Sequence, residues 1–382
     1  MPIQFVDVDL SSCLPELSGV DWSLVGQIHL VFVGMGAVNR PLARQLAWLG
    51  MRRCLLIDPK RYKAQSVISQ CEPDEVGEEK ALVAARELEE MGVKAKALVK
   101  DVDVVPPGFL EENSLVVLAV DNRRADICAN RLAARMRIPI IKVNVEPAYL
   151  TASIRCYDLR HSPPPVCVEC QMSDRHYEDQ LHPLSCDGSE GERPTGSPRP
   201  LSQLAANAAA LAIAQIVGSP SEWAGRWWGK QWQQNLLGGR GSFSELHPNP
   251  NCHWDHSLAF EPFVRLGEFG DTSLRNLAID ASFQQQEIEC EFSARIGNRV
   301  VCDSCGTQKQ GVWWVAELDK ACARCDCGGE QFAVPFFTHE RMKAANLQEI
   351  WDRPLADWGV TPGSVLTYKS NAKQVSYVLP IE

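Results

Sequence analysis

Along the first 160 or so residues, short runs of uninterrupted apolar residues alternate with segments whose apolar positions recur at helical spacing. Ile28-His-Leu-Val-Phe-Val33 runs into Gly34-Met-Gly36-Ala-Val-Asn39, and a helical pattern follows from Pro41 to Gly50. Cys54-Leu-Leu-Ile57 is a second apolar run, stopping at Asp58. The pattern then predicts a Lys/Glu/Ala-rich helix from about Gly77 to Met91, a strand over Lys94–Val99 and a strand over Ser114–Val120. A helix from about Arg124 to Met136 and a strand over Ile138–Val143 close the set. Strands buried on both faces read as continuous apolar runs, and strand–helix alternation builds a parallel sheet covered by helices. The fold class predicted here is α/β, a doubly wound Rossmann-like domain.

After about residue 158 the pattern changes. Gln171 to Pro200 is polar and rich in Pro, Gly and charge, which predicts a long loop (171–200), and an alanine-rich helix follows over Leu201–Val217. A Trp-rich stretch from Glu222 to Leu237 is expected to return to the sheet as strands. From about residue 285 the chain reads as β-rich, with cysteines concentrated between Cys302 and Cys327, and two short strands around a turn end it. The expected organisation is a domain over 1–260 and a small β-rich region over 261–382 that holds a zinc ribbon near 300–330.

Composition narrows the partners. The 382 residues carry 38 Lys+Arg against 48 Asp+Glu, a net charge of −10, which excludes whole-surface attraction to nucleic acid or anionic membrane. Trp223, Trp227, Trp228 and Trp232 are therefore read as packing residues rather than a base-stacking platform. The stretch Leu204–Val217 is broken by Asn207 and Gln215 and reads as a buried helix, not a membrane span. Met1–Leu10 carries no signal pattern, and the 15 cysteines read as thiols and metal ligands in a reducing cytoplasm. Cys13, Cys54, Cys71, Cys128, Cys156 and Cys290 are assigned to packing.

The chemistry concentrates at the strand ends. Gly34-Met-Gly36 sits where a phosphate-cradling turn belongs, with Asn39 in place of the third glycine of the dinucleotide fingerprint. Asp58 ends the next strand, where a ribose ligand sits. These two features alone suit NAD. Lys80, opening the next helix, and Asp121-Asn122, ending the Ser114–Val120 strand, shift the reading to ATP: a lysine suits a phosphate and a carboxylate suits Mg²⁺.

With these residues in this order, the chain resembles the ThiF/MoeB and ubiquitin-activating-enzyme superfamily over roughly residues 20 to 260. The matching stretches are GMGAVN, LARQLAWLGMRRCLLID, VGEEKA and VVLAVDN. The resemblance implies adenylation of the C-terminal glycine of a ubiquitin-like β-grasp protein with release of pyrophosphate. It assigns Gly34 and Gly36 to the glycine turn, Asp58 to the ribose, Lys80 to phosphate and Asp121 to Mg²⁺, with Asn39 and Asn122 beside the nucleotide. One departure stands out. Where the superfamily carries Asn-Leu-x-Arg-Gln, this chain reads Ser66-Val-Ile-Ser69-Gln70, so Ser69 replaces the phosphate arginine. Arg40 at the helix start is the expected substitute, with Lys60, Arg61 and Lys63 as alternatives.

Two cysteine groups predict Zn²⁺. Cys167-Val-Glu-Cys170 is a knuckle in need of two more ligands, and the resemblance supplies Cys252 and His256, with His253 as the competing fourth. Cys302-Asp-Ser-Cys305 and Cys322-Ala-Arg-Cys325, with 16 residues between the pairs, fit a zinc ribbon; Cys327 is an alternative to Cys322 or Cys325. Cys186, within His182-Pro-Leu-Ser-Cys, lies in the long loop where relatives place a catalytic cysteine, and a thioester acceptor suits an exposed tether. The expected activity is thus ATP-dependent adenylation, thioester formation on Cys186 and transfer to a conjugating-type enzyme, by a homodimer. Similar zinc-bearing proteins occur beside ubiquitin-like proteins in bacterial operons, some of them in antiviral defence. The alternatives are a sulfur-carrier adenylyltransferase and a catalytically degenerate scaffold; an NAD-dependent dehydrogenase ranks third.

Overall fold

The computed structural model describes residues 21–161, 165–174, 177, 199–218, 227–235, 240–254, 256, 263–267, 271–281, 288–314, 325–329, 331–333, 338–343, 347–348, 350–358, 360, 362–370 and 374–381. The chain divides into two compact units, Met1–Asp103 with Leu110–Ala259, and Val104–Phe109 with Phe260–Glu382.

In the first unit, β1 (His29–Val33), α1 (Asn39–Trp48), β2 (Arg53–Ile57), α2 (Lys80–Glu90), β3 (Lys94–Leu98), β4 (Ser114–Leu118), α3 (Arg123–Arg135) and β5 (Ile140–Glu146) follow the predicted alternation. Every residue of β1 and β4 is buried, as continuous apolar runs require when helices cover both faces. β6 (Thr151–Tyr157), α4 (Arg199–Gly218), β7 (Lys230–Asn235) and β8 (Arg240–Glu245) complete the unit. The sheet runs β3-β2-β1-β4-β5-β6-β7-β8. Strands β3 to β5 in that order are parallel, and β6, β7 and β8 add antiparallel to the edge. The sheet is therefore mixed rather than wholly parallel. The turn Pro147–Tyr149, ending in Leu150 at φ 46°, reverses the chain between β5 and β6.

Helix α4 is long and apolar enough, by length and composition, to cross a membrane. Its alanines at 205, 206, 209 and 210 lie instead in the core shared with β5, β6 and α1, where small side chains let the helix approach the sheet closely. Trp227, Trp228 and Trp232 pack against this core, and Trp227 donates its indole N–H to Gln215 Oε1 at 2.9 Å. Trp223 lies outside the described residues. Of the cysteines assigned to packing, Cys54, Cys71, Cys156 and Cys290 are buried, Cys128 is partly so, and Cys13 lies outside the described residues.

The second unit contains β9 (Phe263–Arg265), α5 (Leu274–Asp280), β10 (Glu289–Cys302), β11 (Gln308–Trp314), β12 (Gln331–Ala333), β13 (Thr338–Lys343), β14 (Val365–Lys369) and β15 (Gln374–Val378). Its sheet runs β11-β10-β14-β15-β9, with β12 and β13 also paired to β10. Two buried tyrosines pin α5 to that sheet: Tyr368 donates to the Leu274 carbonyl at 3.0 Å and Tyr377 to the Leu277 carbonyl at 3.1 Å. Segment 104–109 belongs here through backbone contact. Gly108 N–H donates to the Gly363 carbonyl at 2.6 Å, and a Cβ at Gly108 would meet Gly363 Cα at 2.6 Å.

Candidate functional site

Register brings the predicted site together. Val33 of β1 lies level with Ile57 of β2 and Leu118 of β4, so Gly34, Asp58 and the turn 119–122 emerge side by side at the strand ends. The chain runs from β1 outward to β3, then returns to β4 on the other flank of β1. That reversal opens the crevice where α/β sheets bind ligands. A cavity of about 590 Å³ occupies it, lined by Gly34, Gly36, Asp58, Lys60, Ser69, Gln70, Lys80, Asp121, Asn122 and Asn144, among others.

Gly34 is required by its surroundings. Its φ is +85°, and a Cβ there would come within 2.6 Å of the Ala119 carbonyl oxygen. The turn after it is fixed by Asp58, whose two carboxylate oxygens accept from Met35 N–H at 2.7 Å and Lys60 N–H at 2.8 Å. Burial pushes the Asp58 carboxyl above its usual range, while those two amides and Lys80 act the other way. Asn122 caps α3, its side-chain oxygen accepting from Ala125 N–H at 2.7 Å.

Lys80 is only 9% exposed. Its ammonium donates to the neutral amide oxygen of Gln70 at 2.6 Å and lies 5.4 Å from the centre of the Tyr62 ring. Burial pulls its pKa down, and nearby Asp58 partly offsets this. A buried cation held by neutral groups at a cavity wall favours an incoming anion, because the anion supplies the counter-charge that burial removed. Asp121 stands opposite, half-exposed, with Lys60 Nζ at 3.2 Å from one oxygen and 3.4 Å from the other. A buried ammonium, a glycine turn and a carboxylate of the kind that suits Mg²⁺ thus share one cavity.

A model of the ThiF family matches residues 22–253, more than half of the chain. The chain belongs to the ThiF family. No curated protein matches this ThiF-family chain. Among solved structures, PaaA is similar at 20% identity and a TM-score of 0.46, over 59% of this chain and 75% of that one. Escherichia coli MccB with ATP is similar at 18% identity and a TM-score of 0.46, over 61% of this chain and 68% of that one. A further MccB structure, named as the microcin C7 biosynthetic enzyme in complex with N-formylated MccA, matches at 17% identity and a TM-score of 0.46, over 61% and 68%.

Two expected site residues stand elsewhere in this ThiF-family chain. Arg40 does not line the cavity. Its guanidinium is clasped by Glu75 through two bonds of 2.6 Å, by Glu87 at 2.9 Å and by the Gln70 carbonyl at 3.2 Å. Its charge is committed to holding the 62–75 loop against α1 and α2, so it does not replace the lost arginine. Asn39 is fully buried and donates to the carbonyls of Val33, Gly34 and Val117 at 3.1, 2.7 and 3.3 Å. It ties the glycine turn to β1 and β4 from behind rather than facing a nucleotide. Cys186 and its neighbour His182 lie outside the described residues.

Sequence reasoning missed Arg199. At the start of α4 it donates to the carbonyls of Val67, Ile68 and Cys71 at 2.8, 2.9 and 3.3 Å, tying down the cavity rim. More than 125 residues separate it from those carbonyls, and no local signal marks it.

Both cysteine groups gather. In the first, Cys167 Sγ lies 3.9 Å from Cys170 Sγ, 3.8 Å from Cys252 Sγ and 3.5 Å from His256 Nε2, with Cys170 3.2 Å from that nitrogen. A tetrahedral zinc with bonds of about 2.3 Å sets its sulfurs about 3.8 Å apart, so these four fit the metal. His253 stays out: it stacks on Tyr177 at 3.9 Å and pairs with Asp174 at 2.9 Å. Behind the knuckle, fully buried Glu169 accepts from Asn130 at 3.0 Å, Arg131 at 3.2 Å and Tyr177 at 2.7 Å, fixing it to α3.

In the second group, Cys302, Cys305, Cys325 and Cys327 converge, all four sulfurs within 4.8 Å of one another. Cys302 lies 3.5 Å from Cys327 and Cys305 lies 3.6 Å from Cys325. The fourth sulfur is that of Cys327; Cys322, expected in its place, lies outside the described residues. Gly306 and Gly328, at φ +70° and +86°, supply the left-handed turns that bring the thiols inward.

Proposed function

We propose that this ThiF-family protein adenylates the C-terminal carboxylate of a ubiquitin-like β-grasp protein, the carboxylate and ATP giving an acyl-AMP mixed anhydride and pyrophosphate. The observation that carries the reading is buried Lys80, held by Gln70 and Tyr62 at the wall of a cavity that also presents the Gly34 turn, Asp58 and Asp121. The ribose goes to Asp58, the phosphates to the glycine turn and Lys80. A carboxylate oxygen of the partner attacks the α-phosphorus, and the bond to the bridging oxygen breaks with its electron pair leaving on pyrophosphate. Lys80, on the cavity wall, stabilises the charge that grows on those oxygens. Mg²⁺ held on Asp121 would withdraw charge from the phosphates.

Cys186 is proposed as the acceptor that takes the acyl group from the adenylate as a thioester, AMP leaving, before a conjugating-type enzyme receives it. That assignment rests on its place in the 171–200 stretch ahead of α4 and on the superfamily resemblance. We further assign one structural Zn²⁺ to Cys167, Cys170, Cys252 and His256, and one to Cys302, Cys305, Cys325 and Cys327, closed four-ligand sites with no position left for water. A homodimer working in the cytoplasm completes the reading. Ser69, a neutral residue on the cavity wall, favours the second reading, a pocket that binds a partner without catalysis.

Thermal unfolding with and without millimolar MgATP tests the nucleotide site without any partner. Ligand at 100 times its dissociation constant adds about 2.7 kcal/mol and raises the midpoint by several degrees. The wild type is expected to shift, Asp121→Ala to lose most of the shift, and NAD to give none. A shift with NAD alone would sink the proposal, and no shift with either nucleotide leaves the scaffold reading in its place.

A further inference from the structure

The superfamily's phosphate arginine is absent, Ser69 standing in its place, and Arg40 is locked in ion pairs outside the cavity. Two of the remaining basic candidates are also unsuited. Arg61 donates to the Gly77 carbonyl at 2.8 Å and pairs with Glu79, and neither it nor Lys63 is among the residues lining the cavity. Lys60 does line it. It is two residues beyond Asp58, its own backbone N–H fixes the Asp58 carboxylate, and its ammonium reaches across to Asp121. It is also near enough to Lys80 for the two charges to repel. The pocket therefore presents two lysines converging on one space, one deeply buried and one half-exposed.

We infer that Lys60 is the second phosphate-binding cation of this site and that it exchanges partners on loading, holding Asp121 while the cavity is empty of nucleotide and moving to the triphosphate when Mg²⁺ takes the carboxylate. The inference rests on the nucleotide reading above. The physical logic is one of charge balance. Lys60 and Asp121 pair at 3.2 Å, so each offsets part of the other's charge before the ligand arrives. MgATP then brings both a cation for Asp121 and an excess of negative charge for Lys60, and the pair separates without leaving either group alone. A half-exposed pair of this kind is weak, about 0–1 kcal/mol, so its opening presents a small barrier to binding. The fixed backbone of Lys60, tied to Asp58, keeps the lysine's pivot in place during the exchange.

Three variants read by calorimetry decide the matter, with MgATP, AMP and Mn²⁺ as probes. Lys60→Met should weaken MgATP roughly 10- to 100-fold, the range of a charge-assisted hydrogen bond to a phosphate. AMP, which lacks the outer phosphates, should bind both proteins within about twofold. Lys60→Arg should stay near wild type for MgATP. Without nucleotide, Lys60→Met should bind Mn²⁺ roughly two- to fivefold more tightly, because the metal no longer competes with an ammonium for Asp121. Asp121→Ala serves as the control that abolishes this Mn²⁺ binding. Unchanged MgATP affinity in Lys60→Met, an equal loss for AMP, or a loss in Lys60→Arg as large as in Lys60→Met would overturn the phosphate role. Unchanged or weakened Mn²⁺ binding in Lys60→Met would overturn the exchange. If the wild type itself binds no MgATP, the nucleotide reading falls, and Lys60 with it.

Discussion

Arg40 and Glu75 show how a residue can look functional in sequence and be structural in space. A basic side chain beside a glycine turn at a helix start is where a phosphate ligand belongs, yet Glu75 and Glu87 lie 35 and 47 residues away and capture it. The bidentate bond from Arg40 holds the Glu75 carboxyl below its usual value of 4.5. Its ionised form is thus favoured by folding: the pair stabilises the protein above that value, and the contribution disappears as pH falls through the lowered pKa. Arg40→Ala is expected to cost roughly 3 kcal/mol, the range for breaking a largely buried pair, while MgATP affinity stays near wild type. Chemical denaturation at pH 7 and pH 4, on wild type and Glu75→Gln, checks the acid dependence. The wild type should lose more stability between those two pH values than the variant does. Equal losses would mean that Glu75 contributes nothing to the acid response.

At the level of elements, the parallel core was legible because β1 and β4 are buried on both faces, which writes an unbroken apolar run into the sequence. The glycine turn, Asp58, Lys80 and Asp121 were legible for a related reason: each sits at the end of such an element, where position alone implies chemistry. The β5–β6 hairpin was not, since its reversal depends on Leu150 in a left-handed conformation, a state no local pattern announces. Helix α5 was also missed, being only seven residues long and held by tyrosines about 94 to 100 residues downstream. The second cysteine cluster was legible only as a set of alternatives. Spacing favours Cys322 with Cys325, but the turn through Gly328 at φ +86° brings Cys327 to within 3.5 Å of Cys302. Metal analysis should find about two zinc per chain in the wild type, about one in Cys327→Ser and about two in Cys322→Ser. A loss of one equivalent in Cys322→Ser with none in Cys327→Ser would reverse this assignment.

Among the described residues of the whole molecule, the two largest cores lie around the β1–β8 sheet and on Trp351, Tyr368 and Tyr377. The cited cavity-lining residues all belong to the first unit. Differential scanning calorimetry is therefore expected to resolve two transitions, of which MgATP raises one. A single transition that moves as a whole would show that the two cores unfold together. The excursion of residues 104–109 bears on how such a chain comes to be made. These six residues are synthesised early, yet their packing partner Gly363 emerges from the ribosome some 250 residues later. At about 5–20 residues per second, the segment waits on the order of tens of seconds for that partner, while the β1–β8 sheet can already close. Pro106 and Gly108, which pack on Gly363 in the folded chain, spend this interval without that cover, a window in which a chaperone has an apolar handle and a truncated transcript would leave one permanently exposed.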